Sequence, residues 1–307
     1  MTSGGTPAQR LLRYGLLMLG IAGLSMAGVF YKLSHTAVVT IVAYRMLFAA
    51  LLIAPLALTA RLSAGSGAKA DFSAHDRAAT IAAGVLFAID LTLWASSLKY
   101  TTIASAALFV SMHPVFVAIF AGVFLKERPT AWTFAGIAIG LLGIVIVAGR
   151  DVRLSGHALL GDGLALCAAL TESAYLLVGR HVRQRVNALA YGFVVYTACA
   201  LCVSAAVLVL RAPLALSAND AVMALALAGV VTVGGHTLVS FALGHLPAAV
   251  VAVCFLAEPL FAALLALALL HQRIPAATAL GGSIALCGIG LLAYGNERKR
   301  QPAAFAV

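Results

Sequence analysis

The chain is written as ten apolar runs, at 11–31, 36–59, 77–98, 102–125, 131–149, 157–180, 189–210, 219–243, 247–270 and 276–295. A helix needs about 20 such residues to cross the hydrocarbon core of a bilayer. The expectation is an all-α membrane protein with ten transmembrane helices. Composition agrees: 63% of the residues are hydrophobic and 10% charged, with a mean hydropathy of +1.05. Soluble domains carry about 25% charged residues. The 307 residues leave no room for a soluble domain beside ten spans. The first run is too long for the core of a signal peptide and reads as a retained helix.

Two of the runs share an unusual doublet. Ser111-Met112-His113-Pro114 and Glu258-Pro259 each set a titratable residue before a proline in mid-run. Proline removes one backbone hydrogen bond and clashes with the carbonyl one turn earlier. For Pro114 that carbonyl belongs to Val110. In lipid the freed carbonyl must find another partner. The two prolines are 145 positions apart, and other positions repeat at that spacing. Ala83-Gly84-Val85 maps onto Ala228-Gly229-Val230, Phe116 onto Phe261, Gly136 onto Gly281 and Gly143 onto Gly288. Nearer the N-terminus the offset is 148: Gly15 aligns with Gly163, Ser25 with Ser173 and Lys32 with Arg180. A near-constant offset with a small drift is the mark of an internal duplication with loop insertions. The expected units are residues 1–150 (helices 1–5) and 151–307 (helices 6–10, with a short basic cytoplasmic tail). Five spans per unit is an odd number, so the second unit enters the membrane upside down relative to the first. Inverted repeats of this kind are a recurring build of secondary transporters.

The formal net charge is +10. Nucleic acid is not the expected partner, because no basic patch is interleaved with exposed aromatics. The lipid bilayer accounts for the charge through the excess of Lys and Arg in cytoplasmic loops. With the N-terminus inside, 13 Lys and Arg fall on the inner side and 6 on the outer, with Arg45 inside a helix. Both termini are therefore expected in the cytoplasm of a multi-pass inner-membrane protein. The longest connection, 60–76, is rich in Gly, Ser and charge and reads as a loose loop.

Ionisable groups at mid-membrane cost roughly 2.5–3.5 kcal/mol each on insertion scales and usually face an interior or a wet cavity. The chain has Arg45 in helix 2, Asp90 in helix 3, His113 in helix 4, Glu172 in helix 6, His236 in helix 8 and Glu258 in helix 9. Some could pair merely to fix packing. As a set they point to a polar central cavity. Helical spacing adds neighbours on the same faces. Trp94 is one turn from Asp90, Tyr175 three residues from Glu172, and Thr232, His236 and Ser240 form a stripe. Phe255 and Phe261 flank Glu258, and Tyr44 adjoins Arg45. Such a lining suits a small zwitterion: carboxylate toward Arg45, ammonium toward an acid, an apolar or aromatic side chain against Tyr or Trp. Pro114 and Pro259 are the candidate hinges, because interrupted helices at corresponding places in two inverted halves point to a transporter's binding site.

Five cysteines, Cys167, Cys199, Cys202, Cys254 and Cys287, all fall inside apolar runs and read as packing residues. No metal site and no cofactor is expected. Enzyme signatures such as Gly-x-Ser-x-Gly or His-Glu-x-x-His are missing, so no catalytic residue is assigned. Glycines at Gly136, Gly140 and Gly143, and at Gly281, Gly282, Gly288 and Gly290, allow helices to approach closely. Packing within a monomer and packing in a homodimer both fit this pattern.

These residues carry a family resemblance. Tyr44-Arg45 followed by Leu47-Phe48-Ala49-Ala50-Leu51-Leu52 resembles helix 2 of the drug/metabolite transporter superfamily, in its ten-helix members with two EamA-type repeats. Lys99-Tyr100-Thr101 and Phe124-Leu125-Lys126-Glu127-Arg128 resemble the first repeat, and Glu258-Pro259-Leu260-Phe261-Ala262-Ala263-Leu264-Leu265 the second. Gln272 departs from the acidic residue with which the second repeat usually ends. The resemblance implies a carrier of small metabolites, often outward, and is similar to amino-acid exporters such as the YddG-type exporters of aromatic amino acids. Other small metabolites or drugs, such as amines or nucleosides, stay open as substrates. An intramembrane enzyme and a passive channel are the rival classes. Glu258, Glu172 and Asp90 are the candidate proton carriers if transport is proton-coupled.

Overall fold

The computed structural model describes residues 7–63, 72–125, 129–148, 156–270 and 276–298. No strand occurs among them. The first half runs α1 (Pro7–Leu24), α2 (Ala27–Leu33), α3 (Val38–Ser63), α4 (Ala74–Ser97), α5 (Ile103–Val110), α6 (His113–Phe124) and α7 (Ala131–Ala148). The second runs α8 (Gly156–Arg183), α9 (Ala188–Val209), α10 (Ala218–Ala226), α11 (Thr237–Leu243), α12 (Ala248–Cys254), α13 (Glu258–Leu270) and α14 (Ala276–Arg298). A π-helical segment, Leu227–His236, joins α10 to α11, and a 3-10 turn, Phe255–Ala257, joins α12 to α13. Lys126-Glu127-Arg128, the loop at 64–71, Arg150, Arg153, Gln272, Arg273 and the basic tail lie outside the described residues.

All ten expected runs fall on helix. By length and composition seven rods can cross a membrane: Ala8–Leu33, Val38–Leu62, Ala74–Ser97, Ser105–Phe124, Gly156–Arg183, Ala188–Val209 and Ala218–Leu243. The other three runs carry shorter apolar helices, Ala131–Ile146, Ala248–Ala262 and Ala279–Leu292. Large apolar side chains cover the outside of the bundle, with Leu51 and Val123 both 69% exposed and Phe124 at 72%. That surface matches a hydrocarbon solvent.

Caps set the helix starts. Ser73 accepts from the Asp76 N–H at the start of α4, and Ser217 from the Asp220 N–H at the start of α10. The side-chain oxygen satisfies one of the orphan donors of a first turn. The two acids then cross to the other half. Asp220 accepts from the Ser34 hydroxyl at 3.0 Å and the His35 N–H at 2.8 Å. Asp76 accepts from the Arg185 guanidinium at 2.7 Å.

The repeat seen in sequence has a counterpart in the packing. Lys32 donates to the Leu98 carbonyl, and its equivalent Arg180 donates to the carbonyl of Leu243. The helices α7 and α14 occupy equivalent places in the two halves and pack along their length. Gly136 lies against Gly288, and Gly143 against Gly281. Contacts that rise along one helix while they fall along the other mean the two cross antiparallel. At each point the bare backbone of one helix touches the other, so a side chain would force them apart. Gly136, Gly143, Gly281 and Gly288 therefore pack within one chain, whereas a side chain at Gly290 would meet open space.

Candidate functional site

Both proline doublets break their helices. The α5 helix ends at Val110, Ser111 and Met112 turn, and α6 restarts at His113. The carbonyl freed by Pro114, that of Val110, is met by Nδ1 of His113 at 3.0 Å. In the second half the 3-10 turn Phe255–Ala257 takes up the strain ahead of Pro259. A serine from the opposite half steadies each break. The Ser25 hydroxyl reaches the Glu258 carbonyl at 3.0 Å, and the Ser173 hydroxyl the His113 carbonyl at 3.2 Å. Each serine also bonds one turn back in its own helix, to Ile21 and Ala169. Ser25 and Ser173 are equivalent in the duplication, as are Glu258 and His113, so this cross-link is made twice.

Between the breaks lies a cavity. Arg45, Asp90, Trp94, Glu172, His236 and Glu258 line it. The lining comes from both halves at equivalent positions: Leu24 faces it where the second half has Glu172, Leu91 where it has His236, and Val110 where it has Phe255. The cavity thus sits at the junction of the two repeats.

Arg45 is 1% exposed. Its Nε donates to the Thr232 hydroxyl at 2.8 Å and its Nη1 to the Tyr31 hydroxyl at 3.0 Å. Its Nη2 is buried without a hydrogen-bond partner, and Arg45 makes no ion pair among the described residues. Thr232 is well placed because it lies in the π segment, where its own hydroxyl bonds back five residues to Leu227. Segments of this kind inside α-helices are frequent at functional sites. His113 lies just behind the lining, 3.7 Å from a Glu172 carboxylate oxygen and edge-on to Phe255.

The remaining expected residues lie elsewhere. Tyr44 turns away from the cavity, and its hydroxyl donates to the Leu214 carbonyl. Tyr175 is buried behind the wall, stacked on Phe87 with ring centroids 4.8 Å apart. The same Phe87 ring meets His236 edge-on. Ser240 is buried beyond the cavity, and its backbone carbonyl accepts from Arg183 Nε. Three residues outside the sequence expectation bear on the site. Tyr31 holds Arg45 and meets Trp94 edge-on at 5.6 Å. Ala27, one turn before Tyr31, lines the cavity. Asp162 is an intramembrane acid away from it, bonded by the hydroxyls of Thr101 and Ser105. Tyr31 adjoins Lys32, the matched partner of Arg180, which was the available signal for it.

One guanidinium with a free donor faces three carboxyl groups and an imidazole across a narrow, partly aromatic space. That arrangement can hold an anionic and a cationic group of one small molecule at once.

The profile of the EamA-like transporter family matches residues 12–149 and 159–294. Over 125 residues the chain is 34% identical to a protein of Bacillus subtilis (strain 168) described as the uncharacterized transporter YcxC. That match covers 37% of this chain and 39% of the relative, so it spans about two-fifths of either protein. The backbone resembles that of a protein solved by crystallography, with a TM-score of 0.73 over 92% of this chain and 96% of that one. At 17% identity this is a likeness of fold.

Proposed function

Because the chain belongs to the EamA-like transporter family, with two repeats in a multi-pass membrane protein, we propose that it exports amino acids across the inner membrane by alternating access. The observation that carries this reading is the unpartnered Nη2 of Arg45 in a cavity that also holds Asp90, Glu172 and Glu258. A charge-assisted pair from a guanidinium to a carboxylate is among the stronger polar contacts available. The acids take the ammonium, and Trp94 offers a face to an aromatic side chain.

The working architecture is ten spans in two inverted five-helix repeats, 1–150 and 151–307, with both termini in the cytoplasm. The antiparallel crossing of α7 and α14, and a family match in each half, support the inversion. The halves rock about the cavity, with the breaks at Pro114 and Pro259 as hinges and the Ser25 and Ser173 contacts as their fastenings. A substrate drives this only through different affinities for the inward and outward states.

The excess of three carboxyl groups over one guanidinium favours a second reading, in which an amine without a carboxylate is the cargo. Efflux from proteoliposomes, measured over a panel of amino acids, amines and nucleosides with and without a pH gradient, separates these. Amino acids should move and their decarboxylated amines should not. Amines alone moving installs the second reading, and flux of neither removes both. Flux indifferent to the gradient retires Glu258, Glu172 and Asp90 as proton carriers.

A further inference from the structure

A second cavity lies beside the first. The two are stacked one helical turn apart on three helices. The central cavity takes Ala27, Arg45 and Leu91, and the second takes Tyr31, Ile41 and Ala95. Residues four apart on a helix lie one above the other on the same face. The layer between the cavities is therefore Tyr31 with its two contacts, the Arg45 guanidinium and the Trp94 ring. With the N-terminus in the cytoplasm, the second cavity is a vestibule on the outer side. Lys32 and Lys99 stand exposed at its edge.

The second half has no such layer. Gly179 stands where the first half has Tyr31, and the space a side chain would need there is filled by the Tyr191 hydroxyl and Leu243. One turn on, Arg183 is buried and closes onto the Ser240 carbonyl. On the inner side the equivalent space is filled by packing, and on the outer side it is taken by Tyr31 with the Arg45 guanidinium and the Trp94 ring beside it.

The chemistry of that bond matters. A tyrosine hydroxyl is one donor and also an acceptor. The Tyr31 oxygen accepts from Arg45 Nη1, so its own hydrogen remains to be donated. The free Nη2 belongs to the same guanidinium. A carboxylate seated on the Nη1 and Nη2 edge lies within reach of that hydrogen.

We propose that Tyr31 partitions the outer vestibule from the central cavity and serves as a third donor to the carboxylate of a substrate held on Arg45. Binding a carboxylate then fastens the partition shut, while an amine lacking that group leaves it unfastened. This rests on the reading that the central cavity takes a carboxylate-bearing solute.

Two measurements test it on the purified full chain. The first needs no substrate. Cysteine is placed at Ala27 in the central cavity or at Ala95 in the vestibule, and labelling by a membrane-impermeant cationic methanethiosulfonate is followed at those peptides by mass spectrometry. Tyr31→Ala should raise the labelling rate at position 27 by tenfold or more and leave position 95 within twofold, while Tyr31→Phe, which keeps the ring, changes neither. Equal rates at position 27 in all three backgrounds overturn the partition. The second measures Kd by calorimetry for L-phenylalanine and for phenylethylamine, which differ by the carboxylate. Tyr31→Phe should weaken the amino acid by about tenfold or more, as for one hydrogen bond to a charged group, and leave the amine within twofold. Parallel weakening of both, or of neither, overturns the donor role. If the unaltered protein binds neither probe, the function proposed above fails for this class of substrate and the donor role falls with it, while the labelling result still decides the partition.

Discussion

Replacing Arg45 with lysine keeps the charge and removes the fork, which makes it the sharpest probe of the site. Arg45 holds Thr232 on the π segment through Nε and Tyr31 on α2 through Nη1, and leaves Nη2 free. An ammonium has three donors on one atom and cannot reproduce this spread. It can keep one of the two helix-to-helix bonds. A hydrogen bond to a charged group contributes about 1.5–3 kcal/mol, so folding stability should fall by about that amount. A carboxylate that had two bonds to the fork keeps one, with the same loss of about 1.5–3 kcal/mol, which corresponds to a Kd raised by roughly 10- to 150-fold. Calorimetry with an amino acid and its decarboxylated amine reads this, with a thermal melt in detergent to confirm folding. The acid should weaken within that range while the amine stays within about threefold. If the lysine variant binds the acid as the parent does, or if acid and amine weaken together, the guanidinium is a structural strut and the anionic end of the substrate sits elsewhere.

Three further outcomes are expected. Gly288→Leu should separate α7 from α14 where Gly136 touches it, lowering stability by about 1–3 kcal/mol as for overpacked cores, seen as an earlier thermal melt with no change in oligomeric state by light scattering. Ser25→Ala removes the hydroxyl that reaches the Glu258 carbonyl and should cost about 0.6 kcal/mol, the average for such bonds in membranes; hydrogen exchange should rise at 255–258 and not at 110–113. Pro259→Ala restores an N–H to the broken helix, so turnover in proteoliposomes should fall while Kd by calorimetry stays within about twofold, and an equal change in both would remove the hinge role.

The helices were legible because lipid imposes one rule: apolar runs near twenty residues long must hydrogen-bond to themselves. The breaks at Pro114 and Pro259 were legible for the same reason, since a missing N–H has a fixed location. What escaped were departures from α geometry with no proline to announce them. The π segment Leu227–His236 holds Gly234 and Gly235, and glycine marks many things besides a wide turn. The break between α1 and α2 at Ser25 has no proline, only Gly23 before it; the serine hydroxyl bonds back to Ile21 and across to Glu258. Tyr44 and Tyr31 show the limit of reasoning from chain neighbours. Tyr44 adjoins Arg45 in sequence, but successive helix residues point about 100° apart, and it bonds the Leu214 carbonyl. Tyr31 is distant in sequence and reaches the guanidinium because α2 packs close to the site. The matched caps at Ser73-Ala74-His75-Asp76 and Ser217-Ala218-Asn219-Asp220 were readable in the sequence as a further trace of the duplication.

Duplication and divergence divide the work at the cavity. The frame is doubled: serine to carbonyl at each break, glycine against glycine at the α7 and α14 crossing. The charges are not. Glu172 faces the cavity where the first half offers Leu24, and His236 where it offers Leu91. Arg45 faces it where the second half has Phe193, which is 38% exposed on the outside of the bundle. If transport runs by the alternating access proposed above, a doubled frame would bring the inward and outward states close in energy, because the same contacts recur when the halves exchange roles. On the proposed partition, a single guanidinium would then give the cavity a direction, since Arg45 bonds only Tyr31 on its own side. The second half has Gly179 and Phe193 where the first has Tyr31 and Arg45, so on this proposal its closure would rest on Arg183, Tyr191 and Leu243 packing without help from the cargo.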